Sequence, residues 1–291
     1  MTAPASSIPV LDSVAALAAG YDAWLCDIWG VMHNGLDAFA SAADACARFR
    51  EAGGTVVLIS NAPRPSGPVQ RQLDRIGVPA GAYDATVTSG DVTRGLLTSE
   101  PGRRVHHLGP ERDRSIFDGL DIAFAAPSAA DVVLCSGLDD DTVETPDDYA
   151  ERLGEMRALG LPMICANPDL MVERGEALVY CAGALAAAYA ELGGEVVYAG
   201  KPHLPIYEMA LERAGAARGA PLDKARVLAI GDGLRTDIAG AEAAGLDALF
   251  VASGLHVKDA AKGRALDEAQ LTALFPDGGT LPVAAQTRLA W

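Results

Sequence analysis

Four short stretches carry the side chains from which anion and cation chemistry could be built. The first is CDIWGVMHNG, residues 26–35, where Asp27 ends an apolar run and a glycine-containing loop follows at once. In an open parallel sheet the carboxyl ends of the strands face the ligand crevice, so Asp27 is expected to point into a site. The second is VLISNAPRP, residues 57–65, in which an apolar run closes on Ser60 and Asn61. A hydroxyl and free backbone N–H groups there would suit phosphate oxygens. The third, AGKPH at 199–203, sets Lys201 between an apolar run and a proline-marked helix start. A cation there could neutralise both a carboxylate and a transferring phosphoryl group. The fourth is AIGDGLRTDIAGAEAAG, residues 229–245, with Asp232 just past a strand and Asp237 five residues on. Two carboxylates near one strand end are costly as bare anions, and a divalent cation is their natural partner.

Each stretch also has a bland explanation. A strand-end aspartate can be a cap or turn residue, Ser-Asn before proline can be a turn, and a loop lysine can simply be solvated. Asp237 alone could be a first-turn helix charge. Gly231-x-Gly233 also opens like a dinucleotide fingerprint, but Thr236 holds the third glycine position and Asp232 would repel a pyrophosphate.

The elements that must position these residues follow from periodicity. Short apolar runs at 23–27, 55–60, 226–230 and 248–252 read as buried strands, each bounded by glycine or polar residues. Amphipathic stretches lie between them, including 204–214, with Ile206, Met209 and Ala210 on one face and Gly215 as the expected C-cap. The middle of the chain repeats the habit, with strands expected at 104–107, 131–135 and 162–165. A helix at 146–159 follows Thr145 as N-cap, presents Tyr149, Leu153 and Met156 together and ends at Gly160. This alternation specifies an α/β fold with mainly parallel sheet. Residues 1–99 and 198–291 form the expected core domain and 100–197 an inserted second α/β domain.

The chain of 291 residues is long enough for two domains, and 50% hydrophobic with 21% charged residues is ordinary globular composition. A formal charge of -16 argues against nucleic acid and anionic membrane surfaces as partners, though a bound cation can reverse the field in one cleft. Cys26, Cys46, Cys135, Cys165 and Cys181 are scattered without C-x-x-C spacing, which suits buried reduced thiols in a cytoplasmic protein. The first 22 residues lack a basic n-region, and the apolar stretch at 14–19 is too short for a signal peptide or membrane span.

In their order and spacing the four stretches resemble the haloacid dehalogenase (HAD) superfamily, and more closely its class IIA, NagD-like branch. The resemblance covers GVMHNG, SNAPRP, ANPDL (166–170), GKP and GDGLRTDI. Ser60 and Lys201 lie 141 residues apart but Lys201 and Asp232 only 31, so an inserted cap of the C2 type belongs between the second and third motifs, over a Rossmann-like core. The resemblance implies a phosphatase acting on a small phosphorylated metabolite. In it, Asp27 is the nucleophile that forms an aspartyl phosphate, and Ser60, Asn61 and Lys201 bind the phosphoryl group. Mg²⁺ is held by Asp27, the Trp29 carbonyl, Asp232 and Asp237. His33, Arg64, Asn167 and Asp169 fall on the substrate side.

One position departs from the pattern. Most phosphatases of the superfamily carry a second aspartate two residues after the nucleophile, as general acid and base; here Trp29 stands there and cannot exchange a proton. General acid–base assistance is worth about 10²–10⁴-fold, so slow turnover of alkyl phosphates is expected, with His33 the nearest other proton carrier. Three readings follow: a hydrolase favouring good leaving groups, a silent phosphate-binding protein, or another phosphoryl or phosphonyl transfer on the same scaffold. The sequence names neither the substrate nor the oligomeric state.

Overall fold

The computed structural model describes residues 8–174, 177–252, 271–275 and 280–291. In chain order the strands are β1 (Ala23–Asp27), β2 (Thr55–Ser60), β3 (Ala85–Thr88), β4 (Arg104–Leu108), β5 (Ala123–Phe124), β6 (Val132–Cys135) and β7 (Met163–Cys165). They continue with β8 (Met171–Arg174), β9 (Ala177–Tyr180), β10 (Val196–Tyr198), β11 (Val227–Gly231), β12 (Asp247–Val251) and β13 (Ala284–Gln286). The chain divides into two compact units, one of Met1–Ile59, Gln70–Thr86 and Tyr207–Trp291, the other of Ser60–Val69 and Val87–Ile206. The expected insertion at 100–197 lies inside the second unit, which also takes in residues 60–69, 87–99 and 198–206 of the segments expected to form the core.

A six-stranded sheet runs β13-β12-β11-β1-β2-β3. β1 pairs in parallel with β11 on one side and β2 on the other, bringing Cys26 opposite Ile230 and Asp27 opposite Ile59. Every residue of β1, β2 and β11 is buried, as strands covered on both faces must be, which explains why their sequences are unbroken apolar runs. Trp24 stacks on Phe49 at 3.9 Å between ring centroids, and Gly54 leaves the room that Phe49 fills. The register is pinned at its start: Arg226 donates to both carboxylate oxygens of Asp22 at 2.8 and 2.9 Å, directly before Val227 and Ala23 pair. That ion pair holds the Asp22 carboxyl below its usual range.

The second unit holds a sheet ordered β10-β7-β6-β4-β5, parallel at each junction. Period-2 alternation splits its side chains between two faces. Val133 and Cys135 join Tyr149, Leu153, Met156, Leu185 and Tyr189 on one side, while Leu134 joins Leu97, Val105 and Ile164 on the other. The helix Ala182–Glu191 and the run 146–158 therefore cover one face, and Ser89–Thr98 packs on the other. β8 and β9 form a separate antiparallel hairpin.

The α/β class with parallel sheets is thus what the chain forms, and several expected elements are recovered with small shifts. The 146–159 helix begins as a 3₁₀ turn, Pro146–Tyr149, and continues as Ala150–Ala158; Tyr149, Leu153 and Met156 are its buried face. The helix expected at 204–214 runs instead from Leu204 to Arg218. Gly215 lies inside it because burial of Ile206, Ala210 and Ala214 keeps the helical period alive up to that point, and the αL turn comes at Gly219, φ +72°. All five cysteines are free and buried. Among the described residues no helix is long and apolar enough to cross a membrane.

Candidate active site

β1 and β11 are adjacent and parallel, so their carboxyl ends deliver Asp27 and, one residue past Gly231, Asp232 to the same edge of the sheet. Asp237 returns to that edge because Leu234–Ile238 forms a π-helical turn, closed by Asp237 and Ile238 N–H bonds to the Gly233 carbonyl at 2.8 and 3.1 Å. Such turns recur at functional sites. Oxygens of Asp27, Asp232 and Asp237 lie within 4.8 Å of one another, and the three residues are only 5%, 7% and 3% exposed.

Backbone shape makes this crowding possible. Gly30 has φ +80°, and a β-carbon on it would collide with the Asp232 carboxylate. A β-carbon on Gly231 would collide with Asp237. The Asp237 carboxylate accepts from Gly233 N–H at 3.1 Å and from the Thr236 hydroxyl at 3.3 Å. Tyr207 donates its hydroxyl to the Asp237 carbonyl at 3.2 Å. Neither Tyr207 nor Gly30 stood out in the sequence as part of the site; Gly231 and Gly233 flanking Asp232 were the available signal.

A divalent cation fits this donor set. Three buried carboxylates at such separation repel strongly in a low-dielectric setting, and hard oxygen donors are what Mg²⁺ or Ca²⁺ takes. The thiol of Cys26, next to Asp27, is pushed well up by its hydrogen bond with Cys46 and by burial, so it stays protonated beside the carboxylates.

The loop after Asp27 folds on itself. Met32 and His33 N–H groups bond the Ile28 carbonyl, and Gly30 N–H bonds the His33 carbonyl at 2.9 Å. His33 is buried, its Nδ1 accepting from Gly35 N–H at 2.9 Å. Burial pulls its pKa down to about 4, so the ring is neutral and structural in character. The Trp29 indole meets the His33 ring edge-on at 4.9 Å and lies over Gly35, where a β-carbon would come within 2.7 Å of it. It remains 47% exposed.

The remaining expected residues belong to the second compact unit. Ser60 is buried and accepts from Ala62 N–H at 3.2 Å. Asn61 does not present its amide as a spare donor. Its Oδ1 accepts from Lys201 N–H at 2.7 Å, and its Nδ2 donates to the Lys201 carbonyl at 3.0 Å and to Asp169 at 2.9 Å. Lys201 is 3% exposed. Asn167 accepts from Asp169 N–H at 3.0 Å, which shapes the loop after β7. Arg64 is partly buried beside the N-terminus of the Ser89–Thr98 helix and contributes favourable charge to Asp113.

A family model described as haloacid dehalogenase-like hydrolase matches residues 24–123, and another described as HAD-hydrolase-like matches 198–277. A solved haloacid dehalogenase-like hydrolase from Brucella suis 1330 is 48% identical, with a TM-score of 0.83 over 96% of this chain and 100% of that one. The D-glycerol 3-phosphate phosphatase of Mycobacterium tuberculosis is 32% identical over 83% of this chain and 65% of its own. The ribonucleotide monophosphatase NagD of Escherichia coli K12 is 26% identical over 81% of this chain and 89% of its own. With those matches, and with acidic strand ends where the motifs placed them, the chain belongs to the haloacid dehalogenase-like hydrolase family and has NagD-like homologues.

Proposed function

We propose that the protein is a Mg²⁺-dependent phosphatase that hydrolyses a small phosphorylated metabolite through an aspartyl phosphate on Asp27. The observation that carries this reading is the trio of buried carboxylates at the ends of β1 and β11. Asp27 and Asp232, with Asp237 behind them and the Trp29 carbonyl, are the groups that would hold the cation. A bound Mg²⁺ supplies charge neutralisation for the attacking carboxylate and the phosphoryl oxygens.

The work of this chain's own residues follows. An Asp27 oxygen forms a bond to phosphorus as the ester P–O bond breaks, and water then attacks phosphorus to release phosphate and restore the carboxylate. Ser60 and Lys201 are assigned to the phosphoryl oxygens, and the 100–197 insertion is assigned the role of a cap that reads the leaving group. Asn167 and Asp169 within it, and Arg64 outside it, are the substrate-side candidates. Trp29 offers no proton to the departing oxygen, and His33, neutral with Nδ1 occupied, is a poor replacement. The reading therefore favours leaving groups that depart without protonation, such as aryl or acyl phosphates. The formal charge of -16 supports a small substrate over nucleic acid or an anionic membrane surface.

The test is a panel of alkyl, aryl and acyl phosphates with Mg²⁺, run for the wild type and Asp27→Asn. Turnover of aryl and acyl phosphates, lost in Asp27→Asn, is expected. Phosphate binding without turnover of any member would instead identify a silent binding protein.

A further inference from the structure

Lys201 sits in the turn after β10, a poor place from which to aim a flexible side chain. The ammonium stands on four methylenes, so the placing of its backbone decides where it can reach. Besides its own His203 N–H bond to the Gly200 carbonyl at 3.0 Å, the turn is held by a residue far away in sequence. The Asn61 amide makes a two-point bond with the Lys201 peptide, Lys201 N–H to Oδ1 at 2.7 Å and Nδ2–H to the Lys201 carbonyl at 3.0 Å. Both partners are buried. The second proton of Nδ2 goes to Asp169 at 2.9 Å, and Asp169 N–H in turn bonds Asn167. Neighbouring atoms leave no slack: a β-carbon on Gly200 would collide with Asn61 Oδ1 and come within 2.7 Å of Pro168 Cδ and 2.8 Å of Ser89 Oγ. Every hydrogen-bonding site that the Asn61 side chain uses here serves the Lys201 turn or the loop after β7.

We infer that the Asn61 side chain positions rather than binds the phosphoryl group: with Asp169 as its own anchor, its amide locks the backbone that carries Lys201. This rests on the proposed role of Lys201 at the phosphoryl group. An amide is the side chain that fits, because it must accept from one peptide N–H while donating to a carbonyl and a carboxylate. Aspartate is nearly the same shape but keeps only the acceptor, and would set two carboxylates against each other at the Asp169 contact.

The experiment compares Asn61→Asp, the exchange Asn61→Asp with Asp169→Asn, and Lys201→Met. Each is read by kcat, KM and competitive inhibition by inorganic phosphate, with thermal unfolding as a check. Asn61→Asp is expected to lose kcat by about 10²-fold, the scale of a misplaced catalytic group, and to bind phosphate more weakly. The exchange should restore much of both, because an amide at position 169 can donate back to the carboxylate at position 61 while that carboxylate still accepts from Lys201 N–H. Wild-type kcat and phosphate inhibition in a folded Asn61→Asp would overturn the proposal. So would an exchange no better than Asn61→Asp, since a carboxylate in direct contact with phosphate cannot be rescued from position 169. If Asn61→Asp does not fold, Asp169→Ala, which removes the outer anchor, should lower kcat and weaken inhibition by inorganic phosphate, and wild-type values of both there overturn the idea. Full activity in Lys201→Met would instead sink the assigned role of Lys201. Loss in Lys201→Met beside an unaffected Asn61→Asp sinks the positioning role alone.

Discussion

Gly30 and Asp232 occupy adjoining space so tightly that a β-carbon on the glycine would overlap the carboxylate. Gly30→Ala should therefore weaken Mg²⁺ binding in isothermal titration calorimetry by displacing Asp232. The φ of +80° adds a backbone cost of about 1–2 kcal/mol for any L side chain. Gly53→Ala is the matched control, with φ +93° and nothing within 4 Å of the new carbon. It should bear the backbone cost alone, lowering the melting temperature less, and leave Mg²⁺ affinity unchanged. Equal Mg²⁺ affinities in the two variants would refute the link.

The carboxylate trio sets a trade between stability and cation binding. In EDTA the three buried charges repel, so Asp27→Asn should melt higher than the wild type. Added Mg²⁺ should raise the wild-type melting temperature, by the equivalent of about 2.7 kcal/mol at a hundredfold excess over Kd, and raise that of Asp27→Asn or Asp232→Asn much less. Equal Mg²⁺-induced shifts in all three proteins would argue against a shared cation.

Trp29 is where chemistry should be recoverable. Trp29→Asp places a proton donor and acceptor two residues after Asp27, and on the proposed mechanism alkyl phosphate turnover should rise, by at most about 10²–10⁴-fold. Aryl and acyl phosphates, which leave unaided, should gain far less. Trp29→Phe should not improve alkyl turnover; a similar gain there would mean that relief of bulk, not a proton, was responsible.

His107, at the end of β4, gives the second unit a pH dependence of defined sign. Its Nε2 meets the Ser136 hydroxyl at 2.9 Å and its ring meets Phe117 edge-on. Burial first, then the charge of Arg114, pull its pKa from 6.5 to about 4; Asp139 opposes them, and His106 adds a smaller downward pull. Between those values the unfolded chain binds a proton that the folded one refuses, so stability falls as pH drops from about 6.5 towards 4. His107→Gln should flatten the slope of denaturation free energy against pH in that window, measured as the difference from wild type so that other groups cancel. An unchanged slope would show that His107 is not its source.

Legibility in the sequence followed how local the cause was. β1 and β2 are set by their own apolar runs, and were readable to the residue. Asp27, Asp232 and Asp237 were readable as candidates because each sits beside a strand end or glycine. β13 was not, since Ala284–Gln286 is three residues long and becomes a strand by pairing with β12 and bridging Val10. β5, only two residues long and exposed, likewise exists through β4. The true partners of the Asn61 amide lie 140 and 108 residues away, beyond any pattern in the SNAPRP stretch itself. Gly215 misled because a glycine at helical spacing reads as a stop, whereas the buried face of Ile206, Ala210 and Ala214 had already committed that turn to helix.

The parallel pairing of β1 with β11 also governs how the molecule comes off the ribosome. Asp22 and Arg226, which start that ladder, are 204 residues apart, so the strand bearing Asp27 keeps one edge bare until most of the polypeptide has been made. A nascent or prematurely terminated product therefore exposes an unpaired apolar edge containing Trp24, a template for mispairing. Such a fragment also lacks Asp232 and Asp237, so the carboxylate trio around Asp27 is complete only after synthesis passes Asp237.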